Sequence, residues 1–248
     1  MLTLYVKEIR SFLSSLIGYI AIGVFVTLIG VFMWIIPSEG GGSNILDNGF
    51  ANIDPLFAIG PWVYLFLIPA ITMRTFSEEK KTGTIELLLT RPLTDLQIVL
   101  AKYLAGFTLV IISLLPTLIY YYSVQKLSVN KEIAGIDIGG MWGSYIGLLF
   151  LGAGFVAIGT FASAIAENQV IAFIIALLLC FLSYIGFDFV AQSGFFGKHD
   201  AFVKSLGINE HYVSMSRGVL DTRDIVYFLS VIVVFNLFTK LVLESRKW

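Results

Sequence analysis

Charge is scarce in this sequence: 13% of its 248 residues are Asp, Glu, Lys or Arg, where a soluble globular domain carries about a quarter. The 16 basic residues nearly match the 17 acidic ones, so there is no basic surplus of the kind that follows nucleic acid. Cysteine is almost missing. Cys180 stands alone, which excludes a disulfide or a thiolate metal cluster within one chain. The two histidines, His199 and His211, fall in no H-E-x-x-H, and no serine sits in G-x-S-x-G, so the usual groups of an intramembrane hydrolase are absent. There is no G-x-x-x-x-G-K-[ST] segment either. A nucleotide is therefore not bound by that route, and energy must come from a partner or an ion gradient.

What is abundant is hydrocarbon, at 57% hydrophobic residues and a mean hydropathy of +0.88. A membrane span takes about 20 apolar residues, and apolar runs occupy Leu16–Ile36, Pro55–Met73, Tyr103–Ser123, Met141–Ile165, Val170–Phe189 and Ile225–Leu243. Six spans place both termini on one side. With the N-terminus inside, ten Lys and Arg lie on the cytoplasmic side (Lys7, Arg10, Arg74, Lys80, Lys81, Arg91, Lys102, Lys240, Arg246, Lys247) against six outside, which favours cytoplasmic termini. The first run is long, follows a charged segment and precedes no small-residue cleavage pattern, so it is expected to stay in the mature protein.

Several local patterns add detail. Leu2, Tyr5, Ile9, Phe12, Leu13 and Leu16 form one stripe, with Lys7, Glu8, Arg10, Ser11 and Ser14 opposite. The pattern predicts a helix over 1–15 lying in the membrane interface, or else an extension of the first span. Pro61 and Pro69 predict a kinked second span whose freed carbonyls are satisfied by neighbours. Gly143 and Gly147 form G-x-x-x-G in a glycine-rich fourth span, predicting close packing either within the chain or across a dimer. Asp188 is the one carboxylate inside a predicted span and hence a functional candidate by default. Its place near the outer end reads as interfacial or loop. Glu210 and His211 read as a solvated pair.

The most informative stretch is 74–94, between the second and third spans. Charged residues lead to Gly83, a helix stop; Thr84–Thr90 then predicts a short second helix ended by Pro92. Thr94 and Gln97 have capping-box spacing at the start of the third span. Ile85, Leu87, Leu88 and Leu89 are apolar in a loop with no core of its own, so they must meet lipid or a soluble partner.

Two segments carry a family resemblance. Glu79-Lys80-Lys81-Thr82-Gly83-Thr84-Ile85-Glu86-Leu87-Leu88-Leu89-Thr90-Arg91-Pro92-Leu93 resembles the E-x-x-x-G-T-x-E-x-L-L-x-x-P-[LV] signature of ABC-2 type permeases. Ser216-Arg217-Gly218-Val219-Leu220-Asp221-Thr222-Arg223-Asp224-Ile225-Val226-Tyr227-Phe228-Leu229-Ser230 is similar to the passage leading into that family's last helix. Within the family the chain most resembles permeases of bacterial gliding-motility transporters.

The resemblance implies an all-α integral membrane fold of the type V exporter kind, one domain over 1–248. It would have six transmembrane helices, an N-terminal interfacial helix, a cytoplasmic coupling helix within 74–94 and external re-entrant helices within 190–224. That last segment, mixed in charge and too short to span, reads from its residues as either re-entrant helices or a plain loop. The implied partners are a separate ABC ATPase subunit, which binds the ATP and Mg, and a second permease, either another copy or a paralogue, in the bacterial inner membrane. No cofactor is implied for this chain itself. ATPase contact would fall on Glu79, Gly83, Thr84, Glu86, Leu87 and Leu88, with Glu79 and Glu86 meeting basic groups of the partner. The external motif residues are Gly218, Asp221, Arg223 and Tyr227. The rival readings are a scaffold that only anchors a motility or secretion complex, and an ion-driven carrier, which the poverty of buried ionisable groups disfavours.

Overall fold

The computed structural model describes residues 1–37, 44–48, 51–86, 93–128, 137–194 and 197–245, which contain helices and no strand. In chain order the helices are α1 (Leu2–Leu13), α2 (Leu16–Trp34), α3 (Ile45–Asn48), α4 (Asp54–Thr72), α5 (Ser77–Lys81) and α6 (Asp95–Leu114). A 3-10 turn at Leu115–Thr117 leads to α7 (Leu118–Leu127), followed by α8 (Ile138–Ile165) and α9 (Gln169–Phe181). A π turn at Leu182–Gly186 joins α9 to α10 (Phe187–Gln192); then come α11 (Asp200–Lys204), α12 (Ile208–Ser216) and α13 (Thr222–Glu244). Asp54–Lys81, Asp95–Leu127, Ile138–Ile165, Gln169–Gln192 and Thr222–Glu244 are long and apolar enough to cross a membrane, and the bent pair α1–α2 makes a sixth when it is counted as one span. These are the six runs read from hydropathy.

The bend between α1 and α2 is 66°. Ser15 makes it by capping α2, accepting the Gly18 N–H at 3.2 Å, while Gly18 lets the Phe12 carbonyl approach closely. The face of α1 that packs is rotated from the apolar stripe. Leu4 and Phe12 are buried, whereas Leu2 and Leu16 are exposed. Glu8, four residues from each buried position, shares their face and is turned inward; it does not sit on the solvent side with Lys7 and Arg10.

Helix α8 is the centre of the bundle, 78% buried over its apolar window against 17% for α13. Glycines make this packing feasible. A methyl on Gly143 would lie 2.6 Å from Gly218 Cα, and one on Gly147 would lie 3.2 Å from Met215 Cβ. Both glycines of the G-x-x-x-G pair therefore face α12 and the turn after it, so the close approach is within the chain.

Pro61 in α4 lacks the N–H that would reach the Phe57 carbonyl one turn back. Tyr212 of α12 supplies the missing donor, its hydroxyl giving a hydrogen bond to Phe57 O at 2.6 Å. At the opposite end of the bundle Leu4, Phe76, Ile85, Ile98, Val99, Ala101, Ala164 and Leu243 form a separate apolar cluster. This is the terminal end, since α1 and the close of α13 both contribute to it. Ile85 thus has a core within the chain, contrary to the expectation that the 74–94 segment has none.

Candidate functional site

The site is built at the terminal end around α5. Its backbone is tied to the central helix: Ser163 Oγ accepts the N–H groups of Phe76 and Ser77 at 2.9 and 3.1 Å, and donates to Met73 O at 3.0 Å. Lys80 reaches the carbonyls of Ala164 and Ala166 at the C-terminal end of α8, where a cation meets the negative end of the helix dipole. Arg74 forks onto Glu78 at 2.9 and 3.0 Å. The bonded guanidinium holds the Glu78 carboxyl below its ordinary range, against the opposing effect of burial.

Beneath α5 lies Lys102 of α6, with a side chain 1% exposed. A buried ammonium needs an acceptor for each of its three N–H groups. Lys102 donates to Glu8 Oε1 at 3.0 Å and to the Thr75 carbonyl at 2.6 Å, and forms an ion pair with Glu79 Oε1 at 3.0 Å. The Phe76 ring adds a face 5.0 Å away. Lys7 closes the network, 3.3 Å from both carboxylates. Burial pulls its ammonium pKa down, but Glu8 and Glu79 outweigh that and leave it above the ordinary lysine value. One ammonium thus fastens α1, α5 and the α4–α5 turn to α6.

This arrangement redirects one expectation. Glu79 does not present its carboxylate outward to a partner; its side chain is 14% exposed and committed to Lys102 and Lys7. What faces outward is the tip beyond it, where Lys81, Thr82, Gly83, Thr84 and Glu86 are all exposed. Gly83 ends α5 at φ +70°, and a methyl there would meet nothing within 4 Å. It is needed for the left-handed backbone, and no side-chain crowding among the described residues demands it. Leu87 and Leu88 lie outside the described residues. Downstream, Thr94 and Gln97 form the expected capping box at the start of α6. Sequence reasoning used Lys102 only to orient the chain. The available signal was Glu8, an acid spaced i+4 and i−4 from Leu4 and Phe12.

The motif at the far end plays a structural part. Gly218, at φ +82°, packs against the backbone of Gly140. Asp221 caps α13 by accepting the Arg223 N–H at 3.0 Å, a bond that lowers its pKa, while the Arg223 side chain is exposed. Tyr227 donates to Leu206 O at 2.7 Å. Two readings of this region are corrected. Asp188 lies in a helix and not in a loop, and is buried within the chain, accepting from Asn209 at 2.8 Å. Glu210 and His211 are not a solvated pair: Glu210 binds Lys204 at 2.7 Å, and His211 turns inward to Asp224. Adjacent helix residues point about 100° apart, so Glu210 and His211 find different partners.

At membrane depth α2 and α4 flank a groove of about 650 Å³. Phe25, Phe32, Trp62, Phe66 and Phe173 are among its lining, all apolar. Among the described residues no group of three or more His, Cys, Asp or Glu could hold a metal ion.

A model of the family described as ABC-2 family transporter protein matches residues 42–198, more than half of the chain. No curated protein matches.

Proposed function

The chain belongs to the ABC-2 transporter family, and from that premise we propose that its braced α5 tip couples ATP hydrolysis in a separate ATPase subunit to movement of a substrate, or transmission of force, across the membrane. Membership makes it a multi-pass membrane permease subunit. The reading rests on one observation: the exposed residues Lys81, Thr82, Gly83, Thr84 and Glu86 project from a segment fixed at its root to α8 by Ser163 and Lys80, and to α6 and α1 by Lys102. A load applied to such a tip moves those helices as one body, whereas a slack loop would absorb it. Glu86 is free to meet a basic group of the ATPase, with Leu87 and Leu88 adding apolar area, and Gly83 and Thr84 setting the turn. ATP and Mg belong to the partner.

The proposal includes cytoplasmic termini in a bacterial inner membrane, a dimer with a second copy or a paralogous permease, and, on the motif resemblance, service in gliding motility. A reporter after Trp248 should then read cytoplasm and one inserted among Gly40–Ser43 the outside; a cytoplasmic reading at the glycines would contradict the orientation. Cysteines on the outer half of α4 should crosslink two permeases. The rival is a scaffold without transport. Reconstitution with the co-purified ATPase separates the two: a coupled permease stimulates hydrolysis, and an unchanged rate at full complex formation supports the scaffold.

A further inference from the structure

The far end holds a second polar cluster, which the coupling account does not use. His211 of α12 lies between two oxygens: Nδ1 is 2.7 Å from Asp224 Oδ1, and Nε2 is 2.9 Å from the Ser205 carbonyl. Its ring stacks on Tyr227 with centroids 3.8 Å apart, and Tyr227 in turn donates to Leu206 O. The imidazole side chain is 15% exposed and the Asp224 side chain 7%. A single residue thus joins the α11–α12 turn to the first turn of α13.

The chemistry of the two acceptors sets a proton count. A backbone carbonyl only accepts, and so does an ionised carboxylate. A neutral imidazole carries one N–H and can satisfy one of them. Meeting both requires one further proton, on Nδ1 or on the facing Asp224 oxygen. Without it, a nitrogen lone pair faces one of the two oxygens: the Ser205 carbonyl when the N–H is on Nδ1, or, when it is on Nε2, the Asp224 carboxylate, whose other oxygen, Oδ2, is buried with no hydrogen-bond partner among the described residues.

We propose that His211 and Asp224 form a proton-operated latch that fastens α12 and the α11–α12 turn to the start of α13, closed while the pair holds this extra proton and loosened when it is lost. The sign follows from linkage: the closed form binds one proton more than the open, deprotonated form, so closure strengthens as pH falls and weakens as pH rises.

Neighbouring charges do not replace Asp224. α11 carries Asp200 and Lys204, and Lys204 is paired with Glu210 of α12. α10 carries Asp188, held by Asn209; the π turn offers only Tyr184. Arg217 ends α12 and Arg223 lies exposed on α13. Asp137 caps α8 through Gly139. Among the described residues only Asp224 comes within ion-pair distance of the ring. The latch does not depend on which side of the membrane the far end faces, so its failure leaves the coupling reading untouched.

Hydrogen–deuterium exchange on the full chain in lipid nanodiscs, corrected for the intrinsic pH dependence of exchange, reads the latch through peptides covering 200–217. A His199→Gln background leaves His211 as the sole imidazole, since the chain has two histidines. Across a series from about pH 5 to about pH 8.5, protection should fall by roughly tenfold or more, the equivalent of one charge-assisted hydrogen bond. Asp224→Asn should reverse the sign. Its amide can donate to Nδ1 while Nε2–H serves Ser205, so the neutral ring satisfies both contacts and protection is greater at high pH. His211→Gln, the control if Asp224→Asn does not fold, should flatten the profile. A pH-independent wild type, an Asp224→Asn profile with the wild-type sign, or a pH step that survives His211→Gln would each overturn the latch.

Discussion

The two ends of this bundle are fastened by different means. At the terminal end the work falls to charge: a fully buried ammonium at Lys102 gathers Glu8, Glu79 and the Thr75 carbonyl, and Lys80 binds the carbonyls that close α8. At the far end much of it falls to close approach and tyrosine hydrogen bonds, with Gly143 against Gly218, Tyr212 on Phe57 and Tyr227 on Leu206, and the Lys204–Glu210 ion pair is exposed. On the coupling proposal, the charge pairs would let the terminal end carry load, and the latch proposal gives the far end its one titratable ring between helices.

Removing the ammonium should break the terminal end alone, and by the largest margin. Lys102→Met leaves the Glu8 and Glu79 carboxylates with only the exposed Lys7 as shared counter-charge, a loss of up to about 3–5 kcal/mol. Thermal unfolding in detergent, followed by tryptophan fluorescence, should show it. The triple variant with Glu8→Gln and Glu79→Gln should recover much of the loss, because the only charge then left without these partners is the exposed Lys7.

At the far end Gly143→Ala forces a methyl against the Gly218 backbone, which cannot shift as a side-chain tip can. The expected cost is about 1–3 kcal/mol, with proteolysis appearing first in 206–221 and not in 74–86. Tyr212→Phe removes the donor to the carbonyl that Pro61 leaves free, and should cost about 1–2 kcal/mol in the same unfolding assay. Tyr212→Phe paired with Pro61→Ala should cost less than Tyr212→Phe alone, since the restored N–H takes over the carbonyl.

The smallest effect sharpens the contrast between buried and exposed charge at the terminal end itself. Glu78, with a side chain 41% exposed, has its pKa depressed by Arg74. A depressed carboxylate contributes stability above its unfolded pKa and loses it as pH falls through the folded value. Glu78→Gln should therefore change stability by only about 0.3–0.5 kcal/mol at neutral pH. The difference should vanish under strong acid and shrink in high salt, which screens exposed pairs. The Lys102 effect should persist in that salt.

What the sequence made legible divides along the same line. Spans are a one-dimensional property, so hydropathy located all six. Local devices were equally readable: the Thr94–Gln97 box, the turn at Gly83, and the close approach at Gly143 and Gly147, although not which partner would fill it. Long-range pairing was not readable. Glu8, Glu79 and Lys102 come from three separate segments, and nothing in their spacing brings them together. Asp224 and Tyr227 did share a face of α13, three residues apart, which pointed to a common partner. That partner, His211, was assigned instead to its sequence neighbour.

The central claim, that the tip beyond α5 is where an ATPase docks, is tested most directly by co-purification. Leu87→Asp with Leu88→Asp would bury uncompensated charge at that contact, at a cost of several kcal/mol. The coupling account expects a variant that inserts in the membrane normally and no longer retains the ATPase. Full retention of the ATPase with stimulated hydrolysis would contradict it.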